Sequence, residues 1–252
     1  MKKTKINNLL FMLIIFISIV FLIYSYKYYK VEENFISVPL NFTPEDSIST
    51  YDWNGILVKV HGGFVKGKIK NDNNQENLII RSLSPTPTII VTNNTQKTSK
   101  CFLQIENINP SCTNFEDIKD DKIKIINPHT ISFALNLEEN KQKVINIKPK
   151  DTKNYFEFVI FGDNRDGYKT FLNILDQVNN INPVFSIDDG DLVFGGEPHK
   201  YRLFYQSISK VKIPFYTALG NHDIRENGII TYTKLFGPPY YSFDYKNVHF
   251  VF

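Results

Sequence analysis

Three hydrophobic runs between residues 156 and 223 each stop abruptly in a polar turn that carries glycine beside acid or amide side chains. Phe158-Val159-Ile160-Phe161 runs into Gly162-Asp163-Asn164-Arg165-Asp166, and Val184-Phe185-Ser186-Ile187 into Asp188-Asp189-Gly190-Asp191. Phe215-Tyr216-Thr217-Ala218-Leu219 runs into Gly220-Asn221-His222-Asp223. Continuous apolar runs of this length suit strands covered on both faces, as in a parallel sheet. Between the first two, apolar residues at 171, 174, 175, 178 and 181 follow a helical period over Tyr168–Ile181, which Asn182-Pro183 ends. Tyr201, Phe204, Ile208 and Val211 repeat that arrangement before the third. Strand–helix–strand units of this kind make right-handed crossovers between parallel strands. Such strands present their carboxyl ends at one edge, where open α/β sheets bind ligands. Three turns bearing Asp, Asn and His at one edge outline a metal site. Further on, Ile229–Phe236 reads as a short helix, and Tyr240–Phe243 and Val248–Phe252 as two strands joined by a turn.

The chain before this region is of different material. Lys2, Lys3 and Lys5 precede a charge-free run from Ile6 to Tyr26. At about 1.5 Å per residue a helix over that run is about 31 Å long, close to the hydrocarbon thickness of a bilayer. A cleaved signal peptide shares these features, but no small-x-small cleavage pattern follows, and the exit is rich in Tyr, as at a membrane interface. The expectation is an uncleaved signal anchor or transmembrane helix over 1–30, with the N-terminus cytoplasmic and the remainder extracytoplasmic. Residues 31–54 read as a linker. From 55 to 150 apolar residues recur at spacing two, as in Ile131, Phe133, Leu135 and Leu137, with turn clusters such as Asn71-Asp72-Asn73-Asn74 between the runs. That pattern predicts an all-β, sandwich-like domain. His61 and His129 are isolated there and read as structural or surface residues. In an exported chain Cys101 and Cys112 would suit a disulfide; the alternative is two thiols that stay unbridged. The formal charge of +3 and the lack of a basic, aromatic stripe give no sign of a nucleic-acid partner.

Hydrolysis of a phosphate ester at a dinuclear centre needs two cations about 3.5–4 Å apart, bridged by one carboxylate and a water-derived oxygen. Oxygen and imidazole ligands suit Mn, Fe, Zn or Mg. Gly190-Asp191-Leu192-Val193 and Gly220-Asn221-His222-Asp223 resemble the second and third signatures, G-D-x-x and G-N-H-[DE], of the calcineurin-like metallophosphoesterase superfamily. The resemblance covers a domain over about 154–252 and implies an α/β fold, the N-terminal part of an αββα sandwich. It implies two divalent metal ions and a phosphate mono- or diester as substrate. Asp163 would ligate the first metal, Asp191 would bridge the two, and Asn221 would ligate the second. His222 would protonate the leaving oxygen or steady the phosphate, and Asp223 would orient His222.

Three departures accompany the resemblance. Where the family's first signature, D-x-H, has His, this chain has Arg165, which cannot ligate because it stays protonated. Arg165 is expected either to hold a substrate phosphate in its planar fork or to pair with Asp166. Phe194 stands where purple acid phosphatases place Tyr, which argues against an iron chromophore. After His222 the only further histidine is His249, and no G-H-x-H occurs, so the chain reads as a C-terminally truncated copy. Asp166, Asp188 and Asp189 also read as turn formers or caps, and His199 as a surface residue. A membrane-anchored metallophosphoesterase is thus expected; the alternative is a non-catalytic, membrane-anchored surface binding or scaffold protein.

Overall fold

The computed structural model describes residues 12–25, 50–70, 75–116, 118–119, 122–150 and 153–252. Contacts divide the chain into two units, Met1–Pro39 and Leu40–Phe252. In the first unit a helix, α1, runs over 12–25 with exposed side chains. Among the described residues no helix is long and apolar enough to cross a membrane. The two ends of the expected anchor, 1–11 and 26–30, lie outside the described residues, as does the expected linker up to 49.

Among the described residues of the second unit, ten strands come first: β1 (Thr50–Trp53), β2 (Ile56–His61), β3 (Gly63–Lys70), β4 (Glu76–Ser82), β5 (Thr88–Asn93), β6 (Ser99–Glu106), β7 (Thr113–Phe115), β8 (Lys124–Asn127), β9 (Thr130–Leu137) and β10 (Gln142–Pro149). They form two five-stranded sheets, in the orders β1-β2-β5-β10-β7 and β3-β4-β6-β9-β8. Alternation along the strands sends one side of each sheet inward, so Val58 and Ile89 share a buried core with Leu78, Leu103, Ile131 and Leu135. The linker expected over 31–54 ends earlier than its last residues, because β1 pairs antiparallel with β2. Tyr51 and Trp53 pack on the core, and the Trp53 Nε1–H donates to Glu76 at 2.9 Å. The possible disulfide is also corrected. Cys101 is buried in that core, no disulfide joins it to Cys112, and burial pushes its thiol up to about 12.

The remainder alternates: β11 (Phe158–Phe161), α2 (Tyr168–Ile181), β12 (Phe185–Asp188), α3 (Pro198–Ile208), β13 (Phe215–Thr217), α4 (Gly228–Phe236), then the hairpin β14 (Ser242–Tyr245) and β15 (Val248–Val251). Asn182 closes α2 in the left-handed conformation, its N–H on the Val178 carbonyl, and Pro183 bars continuation. β11, β12 and β13 pair in parallel in that order. On one face Phe171 stacks on Phe204 with ring centres 5.3 Å apart, and Phe204 meets Phe215 edge-on at 6.2 Å. On the other, Phe185 meets the edges of Phe243, Tyr245 and Phe250 at 5.4–5.7 Å. Layers on both faces bury β12 and β13 throughout, whereas β11, at the sheet edge, leaves Phe158 and Ile160 exposed, against the expectation that all three strands are covered.

The sandwich sheets and the parallel sheet share a polar seam. The Phe215 N–H donates to Asn107 Oδ1 at 2.7 Å, and Arg81 donates to the Phe215 carbonyl at 3.3 Å. Lys66 Nζ binds Glu106 at 3.1 Å and the Tyr205 hydroxyl at 2.8 Å. Burial opposes ionisation of Glu106, but Lys66 and Arg81 outweigh it and hold the carboxyl below the ordinary value of 4.5. Because that folded value is depressed, the stability it brings is present above pH 4.5 and is lost as pH falls below it. Glu106→Gln, which strands the Lys66 ammonium, is expected to cost about 2–3 kcal/mol at pH 7. In urea titrations the gap between variant and parent should narrow on acidification below pH 4.5; a constant gap would show that the ion pair is not its source.

Candidate active site

Register sets the geometry of the site. Phe161, Asp188 and Thr217 stand side by side at the carboxyl ends of β11, β12 and β13. The turns that follow are knitted by main-chain bonds: Asp189 N–H to the Phe161 carbonyl at 2.9 Å, and Ala218 N–H to Asp188 at 2.8 Å. Asp163 N–H reaches the Gly190 carbonyl at 2.9 Å, and Arg165 N–H that of Asp191 at 3.0 Å. Such closeness demands glycine. A Cβ on Gly220 would lie 2.1 Å from Asp191 Oδ1 and 2.3 Å from its nitrogen. Four residues with side chains take left-handed backbone in this small space: Asp163 at φ 60°, Arg165 at 43°, Asp166 at 66° and Asp191 at 55°. Such conformations are sparsely populated outside glycine, and they cluster where local geometry serves a site.

Asp191, 8% exposed, is the centre of the arrangement. Its Oδ1 accepts the His222 backbone N–H at 3.0 Å. Its Oδ2 accepts the Nε–H of Arg165 at 3.1 Å and lies 3.0 Å from Nη2 in the same ion pair. The same Nε meets Asp163 Oδ1 at 2.5 Å, so one guanidinium nitrogen holds both carboxylates. The pairing of Arg165 with Asp166 is therefore corrected: Asp166 turns toward α3, where it meets Lys200 at 3.4 Å and accepts the Phe194 N–H. Asn221 follows in the third turn with an exposed side chain.

His222 is buried, and its Nδ1–H donates to the Phe194 carbonyl at 2.7 Å, which directs Nε2 as the nitrogen free to meet a substrate. The orienting role expected of Asp223 is corrected. Its oxygens accept the Val193 N–H at 3.1 Å and the Gly220 N–H at 2.8 Å, so it clamps the second turn to the third instead of touching the imidazole. The Phe194 carbonyl escapes sequence reasoning, since any residue carries a carbonyl. Asp188 lies beneath the site, fully buried; burial pushes its carboxyl well above the ordinary range, against the pull of the Gly190 N–H. His249 pairs with Asp244 at 2.6 Å on the hairpin.

The two-metal expectation meets this donor set as follows. A carboxylate has about four lone-pair sites. On Asp191, Arg165 takes a site of Oδ2 with Nη2 close beside it, and the His222 N–H takes a site of Oδ1. Asp163 is tied to the same guanidinium. Among the described residues no group of three or more His, Cys, Asp or Glu stands ready for a metal ion. These residues do not fit a bridged pair of cations while Arg165 keeps its place.

The parallel sheet thus delivers carboxylate, guanidinium and imidazole side chains to one edge, an arrangement of the α/β class. Comparison adds to this: residues 156–252 match the family described as calcineurin-like phosphoesterase. Over 64 residues the chain is 34% identical to a protein of Arcobacter nitrofigilis named "Probable glycerophosphodiester phosphodiesterase GpdQ". That match takes in 25% of this chain and 23% of the relative's length.

Asp223→Ala would orphan the Gly220 and Val193 N–H groups, at an expected cost on the order of 2–4 kcal/mol. Urea unfolding measures that cost. Nitrogen-15 NMR of His222 should still report the Nδ1–H tautomer in the variant, and its loss would return the orienting role to Asp223.

Proposed function

We propose that this chain is a phosphoesterase that hydrolyses phosphate mono- or diesters at the edge formed by the β11, β12 and β13 turns. The observation that carries the reading is Asp191, whose one carboxylate ties Arg165 to the His222 turn. Arg165 turns its Nε–H and the adjoining Nη2 toward carboxylates, and the far side of the guanidinium is a planar fork suited to phosphoryl oxygens. In its imidazolium form His222 keeps Nδ1–H on the Phe194 carbonyl and gives the Nε2 proton to the departing alcohol oxygen. The family match supports ester cleavage at phosphorus, and the name of the Arcobacter relative supports a diester among the substrates. The metal-dependent form of the reading assigns Asp163, Asp191 and Asn221 as donors to divalent cations, Mn, Fe, Zn or Mg. Its dinuclear version requires Arg165 to release both carboxylates.

The basic start and the charge-free run from Ile6 to Tyr26 support a membrane anchor, with the β sheets and the catalytic region outside the cytoplasm. The αββα sandwich of the family supports the layering of helices, parallel sheet and hairpin. The second reading, a non-catalytic membrane-anchored scaffold, is favoured by the closed Arg165 pairing alone.

Release of p-nitrophenol from mono- and bis-p-nitrophenyl phosphate, with manganese added, separates the two readings. The full chain is expected to act above background, with kcat lowered about 100-fold by His222→Ala. Activity unaffected by either His222→Ala or Asp191→Asn would belong to something else, and none at all would leave the scaffold. Alkaline carbonate extraction should leave the chain in the membrane fraction; release into the wash would remove the anchor.

A further inference from the structure

We infer that Arg165 is the resident cation of the Asp163–Asp191 pair, occupying the place of a first metal, so that the centre takes at most one divalent ion. That ion would draw on what Asp191 leaves open and on Asn221, the exposed amide of the third turn. The inference rests on the phosphoesterase reading and narrows its chemistry: the phosphoryl group is gripped by a guanidinium on one side and one metal at most on the other.

Three observations carry it. The first is the shared nitrogen: Nε stands between Asp163 Oδ1 and Asp191 Oδ2, the position a bridged cation would need. A guanidinium carries a positive charge and offers no acceptor atom to a metal, so a dication there would meet both repulsion and an occupied place. The second is that main-chain bonds pin both partners. Arg165 N–H binds the Asp191 carbonyl and Asp163 N–H that of Gly190, so the arginine and both carboxylates belong to one interlocked pair of turns. The third is the balance of charge. Two carboxylates against one guanidinium leave a single negative charge, which suits one cation and no more.

The test is metal stoichiometry. The full chain is stripped with chelator, reloaded with manganese, freed of excess and analysed by inductively coupled plasma mass spectrometry. The parent should carry one equivalent or fewer. Arg165→His, which removes the charge and adds an imidazole donor, should gain one equivalent over the parent and bind inorganic phosphate about tenfold more weakly when metal-free. Two equivalents in the parent would overturn the inference, as would an Arg165→His variant with no more metal than the parent. If circular dichroism shows the histidine variant misfolded, Arg165→Gln frees the same carboxylates without a new ligand; it should gain manganese, and unchanged stoichiometry overturns the inference. p-Nitrophenol release from the same samples keeps the two readings apart. A parent with one metal and no activity removes the phosphoesterase reading and leaves the role of Arg165, whereas an active parent with two metals removes only that role.

Discussion

The carboxylate of Asp191 is nearly buried in the turn after β12, where it would be costly without partners, and it finds two N–H donors from two neighbouring turns. One comes from Arg165 after β11, whose Nη2 completes the ion pair, and one from the backbone of His222 after β13. A buried carboxylate that accepts charge-assisted bonds from both sides fixes three separate stretches of chain relative to one another. The imidazole, the guanidinium and the second carboxylate take their positions from it. Asp223 repeats the device one layer deeper with two main-chain N–H groups, and Gly220 makes both possible by letting the backbones touch.

Those turns meet only because the sheet beneath them is rigid. Stacked Phe171 and Phe204 on one face and the ring cluster around Phe185 on the other leave the short strands little freedom to slip. Sliding by one residue would turn Phe185 toward the helices and Asp188 toward the hairpin, exchanging the two faces. The seam with the sandwich sheets holds β13 at its start, where Asn107 and Arg81 satisfy the Phe215 backbone. The all-β region thereby supports the strand that carries His222, at a distance from the site itself.

Much of this was open to reading along the chain. Apolar runs with helical periods between them implied parallel strands, and parallel strands have their carboxyl ends together, so Asp163 and Asp191 had to be neighbours. The alternation of Ile131, Phe133 and Leu135 implied the inward side of β9. β1 was not legible, because Thr50–Trp53 is too short to show a period and owes its place to Tyr51 and Trp53 settling on the core. The thiols followed the same logic: position in a strand decided the burial of Cys101, and spacing did not.

The amino-acid order alone determined which residues reach the sheet edge, because strand period, helix period and chain direction are local properties. Which of them touch was decided by tertiary structure. Left-handed backbone at Asp163, Arg165, Asp166 and Asp191 aims side chains in directions no pattern encodes, so Arg165 joins Asp163 to Asp191 and leaves Asp166 to Lys200. The partner of His222 is likewise a main-chain carbonyl from another turn, supplied by shape and invisible in any motif. Hydrogen bonds depend on direction and on distances of a few tenths of an ångström, and only the packed chain sets those.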